Sequence, residues 1–497
     1  MCSSGVDPPP VLGLMTAHAS SVVGISETEG SRYPDSRMTL LQSAARKAFP
    51  RVARGCRRLV AAAAHRLRFH LWMVARGIKD WWLLPPGRLD PFDLAMHFDQ
   101  HYTLSKARQL GPIFKVWWRG GHTTCILGHA RIRRMLLAKE DALRGSTIDL
   151  RPLFPIGHVR AMHGKTHRRY RHLLVQALQA SPLEAHEVAI REWIRVGLNE
   201  VICDRVSPVI TREELRSSLR MITGGIMLRL LFGVTPESSS YAELVEHYRR
   251  FGPEAPAWTI RHSQIAAFAD IRRIILRLAE DIRIHPESRS PPSALSHLVA
   301  AGDMDETALG NLIYMFEGSH FDIYSLWTWV LQHLAANPEV MTRFRAETDA
   351  LHSRRAGEAI VLETLRLEQS EAINRDVSCD IFFDGYLIPR NTVVRACLWE
   401  GHKDPRIFDD PFAFNPGRFL GRVWSIDEFA PFGLDKHRCI AADFVIAIST
   451  MFVEIVLREF QLAIVSVGPP RKGVYHWEPG PDLSIVLGRR VCPYRSQ

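Results

Sequence analysis

Pro431-Phe432-Gly433-Leu434-Asp435-Lys436-His437-Arg438-Cys439-Ile440-Ala441 is the stretch on which the reading turns. It sets a cysteine at the end of a glycine-containing polar loop, directly before an apolar run from about Ala441 to Phe460 that reads as a helix. A helix N-terminus offers free amide donors and the positive end of the macrodipole, which lower a thiol's pKa and favour the metal-binding thiolate. A single cysteine on an apolar helix is more often a small core residue. The surrounding sequence decides between the two.

Working upstream, Pro411-Phe412-Ala413-Phe414-Asn415-Pro416-Gly417-Arg418-Phe419 precedes the loop, and Glu363-Thr364-Leu365-Arg366 precedes that. Glu363 and Arg366 lie three apart and share a face of a helix. The three elements, in this order and at these separations, resemble the cytochrome P450 family over residues 88–497. The resemblance implies a mainly α fold with small β-sheets in a single large catalytic domain, and haem b as cofactor with Cys439 as the thiolate ligand of its iron. Such a ligand pushes electron density towards O–O cleavage. Phe432 would shield the sulfur, and Glu363, Arg366 and Arg418 would form a buried ion network holding the cysteine loop against the fold, provided each charge is satisfied.

A further element is Gly164-Lys165-Thr166-His167-Arg168-Arg169-Tyr170-Arg171, which places His167 and Arg171 four apart on one helical face. By itself this is a basic surface helix. With the cysteine loop present, the resemblance makes His167 and Arg171 partners of the haem propionates, together with Arg375 and His437.

The chain also departs from the family. Asp435 and Ala441 stand where the family pattern has glycine, and Asp435 is expected to adopt a left-handed conformation at some strain. The central helix, read from about Asp305 to Asn337, carries Glu317-Gly318-Ser319-His320-Phe321-Asp322 where the family has a small residue, glycine, any residue, an acid and threonine. Gly318 then leaves room for a groove over the haem, His320 replaces the acid and Phe321 the threonine. A phenyl ring cannot relay a proton, so Phe321 is expected to pack on substrate above the haem.

The 497-residue chain has a net charge of +10 and eight cysteines without the close spacing of a zinc site or disulfide scaffold. Residues 1–35, with three consecutive prolines, read as a disordered leader. Residues 36–87 form a basic amphipathic segment, and two readings of it stay open: a helix docked on the fold, or one lying on a membrane with Trp81 and Trp82 at the interface. No run is long enough to span a bilayer, and a cytoplasmic location with peripheral membrane contact is expected.

These features make a haem-thiolate monooxygenase the leading reading, acting on an apolar small molecule with O₂ and electrons from a ferredoxin- or flavoprotein-type donor. One alternative is variant chemistry on the same cofactor (peroxide-driven oxidation, radical coupling or rearrangement), suggested by His320-Phe321. Another is a non-catalytic haem sensor. The basic charge alone does not indicate nucleic acid, and no recognition motif for it is present.

Overall fold

The computed structural model describes residues 83–490, apart from 91, 119–120, 147–148, 204, 206, 253–259, 287–290, 352–353, 370 and 474–475. The expected leader 1–35 and residues 36–82 of the basic segment lie outside the described residues.

After two short helices, Ala95–Phe98 and Tyr102–Leu110, the strands β1 (Ile113–Trp118) and β2 (Gly121–Leu127) pair antiparallel, as their β-rich sequence predicts. After β3 (Leu143–Gly145) come helix α1 (Gly164–Gln179), strand β4 (Val209–Thr211) and helix α2 (Arg212–Phe232). The start of α2 is fixed locally: the Thr211 hydroxyl accepts from the Glu214 amide, and the Glu214 carboxylate accepts from the Thr211 amide. It stops at Gly233, whose φ of 71° is the left-handed cap that glycine adopts without a Cβ penalty.

Helix α3 (Glu306–Ala336) runs through the middle of the molecule. The Asp305 carboxylate caps it, accepting from the Ala308 amide at 2.8 Å, and it ends at Asn337 before Pro338, as the sequence predicts. Helix α4 (Arg354–Glu368) follows, then β5 (Ala372–Val377), β6 (Ile381–Phe383), β7 (Tyr386–Ile388) and β8 (Val393–Cys397). Asp384 and Gly385 turn between β6 and β7 with φ of 46° and 84°, the signs a tight hairpin turn demands. Helix α5 (Ala442–Glu459) leads into β9 (Phe460–Ser466), β10 (Arg471–Lys472), β11 (Trp477–Glu478) and β12 (Ser484–Arg489).

The sheets are small. One has the order β1-β2-β8-β5-β3, one β4-β12-β9, and β6-β7 and β10-β11 form two-stranded ribbons. The strands β3 and β4 lie within residues 131–367, where helical patterns dominate the sequence. Each is three residues long and pairs with a partner far along the chain, β3 with β5 and β4 with β12, so no local pattern marks them.

Packing of α3 on α5 sets the site. The Trp327 indole lies flat on the Phe452 ring, centroids 4.1 Å apart and planes 6° apart, and its Nε1 donates to Ser449 Oγ at 2.9 Å. Such aromatic pairs add about 0.5–1.5 kcal/mol to their burial. Here the pair fixes α3 against the helix that follows Cys439.

Candidate functional site

The cysteine loop is held by its own backbone. The Cys439 amide donates to the Phe432 carbonyl at 2.9 Å and the Arg438 amide to Asp435 O at 2.9 Å. Gly433 takes a φ of 103°, which few side chains tolerate. Phe432 is half-buried against the main core. Asp435 differs from expectation: among the described residues, the non-glycine positions with positive φ are Asp384, Asn391 and Asp410. Asp435 avoids strain because its carboxylate stabilises the turn, accepting from the His437 amide and from Arg375 Nη2, both at 2.9 Å.

Cys439 lies two residues ahead of the N-cap Ala441. Its side chain is accessible by area, yet burial is the largest influence on the thiol and pushes its pKa up. The two observations agree for a sulfur that lines an interior recess. Against burial work the Ala441 amide and the cations Arg160 and Arg171, which favour the thiolate.

A polar cluster borders the same loop. His167 and Arg171 project from α1; the His167 ring stands 4.0 Å from that of His437, and Arg171 Nη1 donates to the Arg438 carbonyl at 2.7 Å. Burial, then Arg171, pushes His167 down to about 4, and burial, then His167 and Arg375, lowers His437. Both rings are therefore neutral near pH 7, which allows their close approach. His437 Nδ1 is buried with no hydrogen-bond partner among the described residues, a costly arrangement unless something completes it.

Glu363, Arg366 and Arg418 also come together. Arg366 grips Glu363 in bidentate fashion at 2.7 and 2.8 Å, with both side chains fully buried, and Arg418 Nε reaches Glu363 Oε1 at 3.3 Å. Arg366 donates further to the carbonyls of His402, Pro411 and Ala413, and the Asn415 amide donates to Glu363. These bonds fasten the 402–418 segment to α4. They run to the segment upstream of the cysteine loop, where the sequence reading had them hold the loop itself.

The distal helix is arranged differently from the sequence reading. His320 is buried, its Nδ1 lies 3.0 Å from the Phe316 carbonyl, and its own carbonyl accepts from Thr223 of α2. Burial pushes this imidazole down to about 4. Phe321 is only 3% exposed and sits edge-on to Tyr324 at 5.1 Å and His476 at 5.5 Å, a core position. The residue of α3 that reaches the recess is Asp322, whose side chain is 54% exposed and which acts electrostatically on Cys439. One turn earlier, Gly318 has no heavy atom within 4 Å of where a Cβ would stand, so that face of α3 is open. Asp322, Arg160 and His476 were missed in the sequence. The available signal was helical spacing: Asp322 is four residues after Gly318 and shares its face.

A family model described as Cytochrome P450 matches residues 92–474. The chain belongs to the cytochrome P450 family. The family implies a haem-iron cofactor. Curated relatives include ent-kaurenoic acid oxidase 1 of Hordeum vulgare, 24% identical over 46% of this chain and 53% of that protein. Farnesoate epoxidase of Bombyx mori is 25% identical over 51% of this chain and 55% of the relative. The first matches span about half or less of the relatives' own length, while cytochrome P450 138 of Mycobacterium tuberculosis is matched at 24% identity over 78% of this chain and 93% of its own. Among solved structures, the retinoic acid bound cyanobacterial CYP120A1 superposes with a TM-score of 0.66 at 19% identity, covering 82% of this chain and 99% of that one. That likeness shows the P450 fold.

The residues fit a haem. A recess-lining sulfur suits the iron, and the orphaned His437 Nδ1 beside Arg171 and His167 suits the haem carboxylates. Arg375 differs in that Asp435 already occupies its guanidinium.

Proposed function

We propose that this P450 is a haem-thiolate monooxygenase, with haem b as cofactor, oxidising an apolar small molecule with O₂ and electrons from a ferredoxin- or flavoprotein-type donor. The observation that carries the reading is Cys439 at the head of α5, its sulfur open to the recess that α3 overlooks. When bound, haem supplies the oxygen-activating chemistry. The chain's residues supply the rest. Cys439 would hold the iron, the 432–438 loop would screen the sulfur, and His437, Arg171 and His167 would hold the carboxylate edge, with Arg375 held by Asp435 behind them. Gly318 leaves substrate space beside α3. The relatives named for kaurenoic acid and farnesoate, and the neighbour bound to retinoic acid, name hydrocarbon skeletons bearing one carboxyl group, which supports a mostly apolar substrate.

The basic segment 36–87 adds a peripheral membrane contact on the cytoplasmic side, and no nucleic-acid partner is involved. No described helix is long and apolar enough to cross a membrane. The test is a spectral binding screen of the purified enzyme against apolar metabolites, followed by product analysis with O₂ and a reducing partner. Oxygenated product that depends on both is expected. Haem binding with spectral shifts but no product would make the protein a sensor, and product formed only with added peroxide would assign it the variant chemistry.

A further inference from the structure

Three ionisable groups from separate parts of the fold meet the recess that Cys439 lines. Asp322 comes from the middle of α3, Arg160 from the turn before α1, and His476 from the β10–β11 hairpin. Arg160 acts electrostatically on both Asp322 and Cys439. His476 Nδ1 stands 3.5 Å from Asp322 Oδ1, and its Nε2 has no partner among the described residues.

The hairpin is built to keep His476 there. Lys472 at its start pairs with Glu371 and Glu478 at its end with Arg212, and Trp329 Nε1 of α3 donates to the Trp477 carbonyl at 3.1 Å. The backbone at Asp322 is fixed as well, since Gln369 Nε2 donates to its carbonyl at 3.0 Å. The Asp322 backbone is therefore fixed and its carboxyl group stands beside His476, while its side chain stays accessible.

We propose that Asp322, oriented by His476, is the proton-transfer group of the recess, in place of an acid–threonine pair. The inference rests on the monooxygenase reading. That reaction turns a substrate C–H, O₂, two electrons from the redox partner and two protons into C–OH and water, so protons must be delivered within a protein-walled space. Neither Phe321 nor the buried, neutral His320 faces that space. The Asp322 carboxyl does, and each proton it gives up is replaced from water reaching its accessible side. Burial pushes Asp322 up to about 6 while Arg160 pulls it down, so it carries a proton for part of the time near neutrality. Asp322 is a direct donor; His476 acts through it and is a positioning residue.

The test uses the full-length holoenzyme with its substrate and a reducing partner. Asp322→Asn, an isosteric change, should keep the thiolate spectrum but lower the product rate by about 10²–10⁴-fold, the usual contribution of a positioned acid. The electrons consumed should then appear as peroxide. Asp322→Glu should restore part of the yield. Infrared spectroscopy gives a readout independent of turnover: a carboxylic-acid C=O band titrating near pH 6 should vanish in Asp322→Asn and move its midpoint in His476→Gln, with Arg160 and Cys439 unchanged. Asp322→Asn with wild-type product per electron pair, or no titrating band that this variant removes, would overturn the proposal. A wild-type enzyme that forms no product at all defeats the monooxygenase reading instead, and the infrared band is still there to separate the two failures.

Discussion

Replacing Glu363 by alanine removes the acceptor of four hydrogen bonds, two from Arg366, one from Arg418 and one from the Asn415 amide. Arg366 is fully buried, so its charge has no water to turn to. It keeps three carbonyl partners, at His402, Pro411 and Ala413, but these carry no countercharge. Breaking a buried pair in this way costs about 3–5 kcal/mol, a large part of the 5–15 kcal/mol that is typical of folded domains. Glu363→Gln, which retains an acceptor oxygen, should cost less, about 1.5–3 kcal/mol as for a lost charged hydrogen bond. Urea denaturation followed by circular dichroism, with haem retention measured in parallel, gives the ordering wild type, Gln, Ala. An alanine variant within about 1 kcal/mol of wild type with full haem occupancy would refute the reasoning, because surface pairs behave in that way.

Two further outcomes follow from buried groups. Phe321→Ala should destabilise the fold by about 3–5 kcal/mol in the same assay, as a core truncation does, whereas a substrate-packing role would leave stability unchanged and alter turnover or product. Glu317 is buried with Oε2 unpaired among the described residues, and burial raises its pKa from an ordinary 4.5 to about 8. A raised folded-state pKa means that the native state holds the proton more tightly, so this contribution to stability is full below the ordinary value and is lost as pH rises through about 8. Glu317→Gln should flatten the stability profile between those limits, and an unchanged profile would show that the group is not protonated in the fold.

The fold was legible where chemistry is local. Capping at Asp305, the turn at Asp384-Gly385 and the apolar run after Cys439 each announce their element, and the central helix falls where Asp305 and Pro338 bound it. The strands β3 and β4 were not legible, because their partners lie far along the chain. At the site, the grouping of His167, Arg171, Arg375 and His437 around the cysteine loop followed from sequence spacing and the family resemblance. On the distal helix the structure buries Phe321 and exposes Asp322. Gly318 satisfies either of two adjacent small-residue positions in the family pattern, and only the observed burial of Phe321 and exposure of Asp322 distinguish the two frames. Arg160 and His476 come from segments far from α3, and no spacing rule connects them to it.

The central claim is that Cys439 is the thiolate ligand of a haem iron, and the spectrum of the reduced carbon monoxide complex tests it most directly. The wild-type protein should show the red-shifted Soret band of thiolate ligation, and Cys439→Ser should abolish that band in a folded protein. A Cys439→Ser protein that keeps the band, with the band lost instead on mutation of another cysteine such as Cys379 or Cys203, would contradict the account.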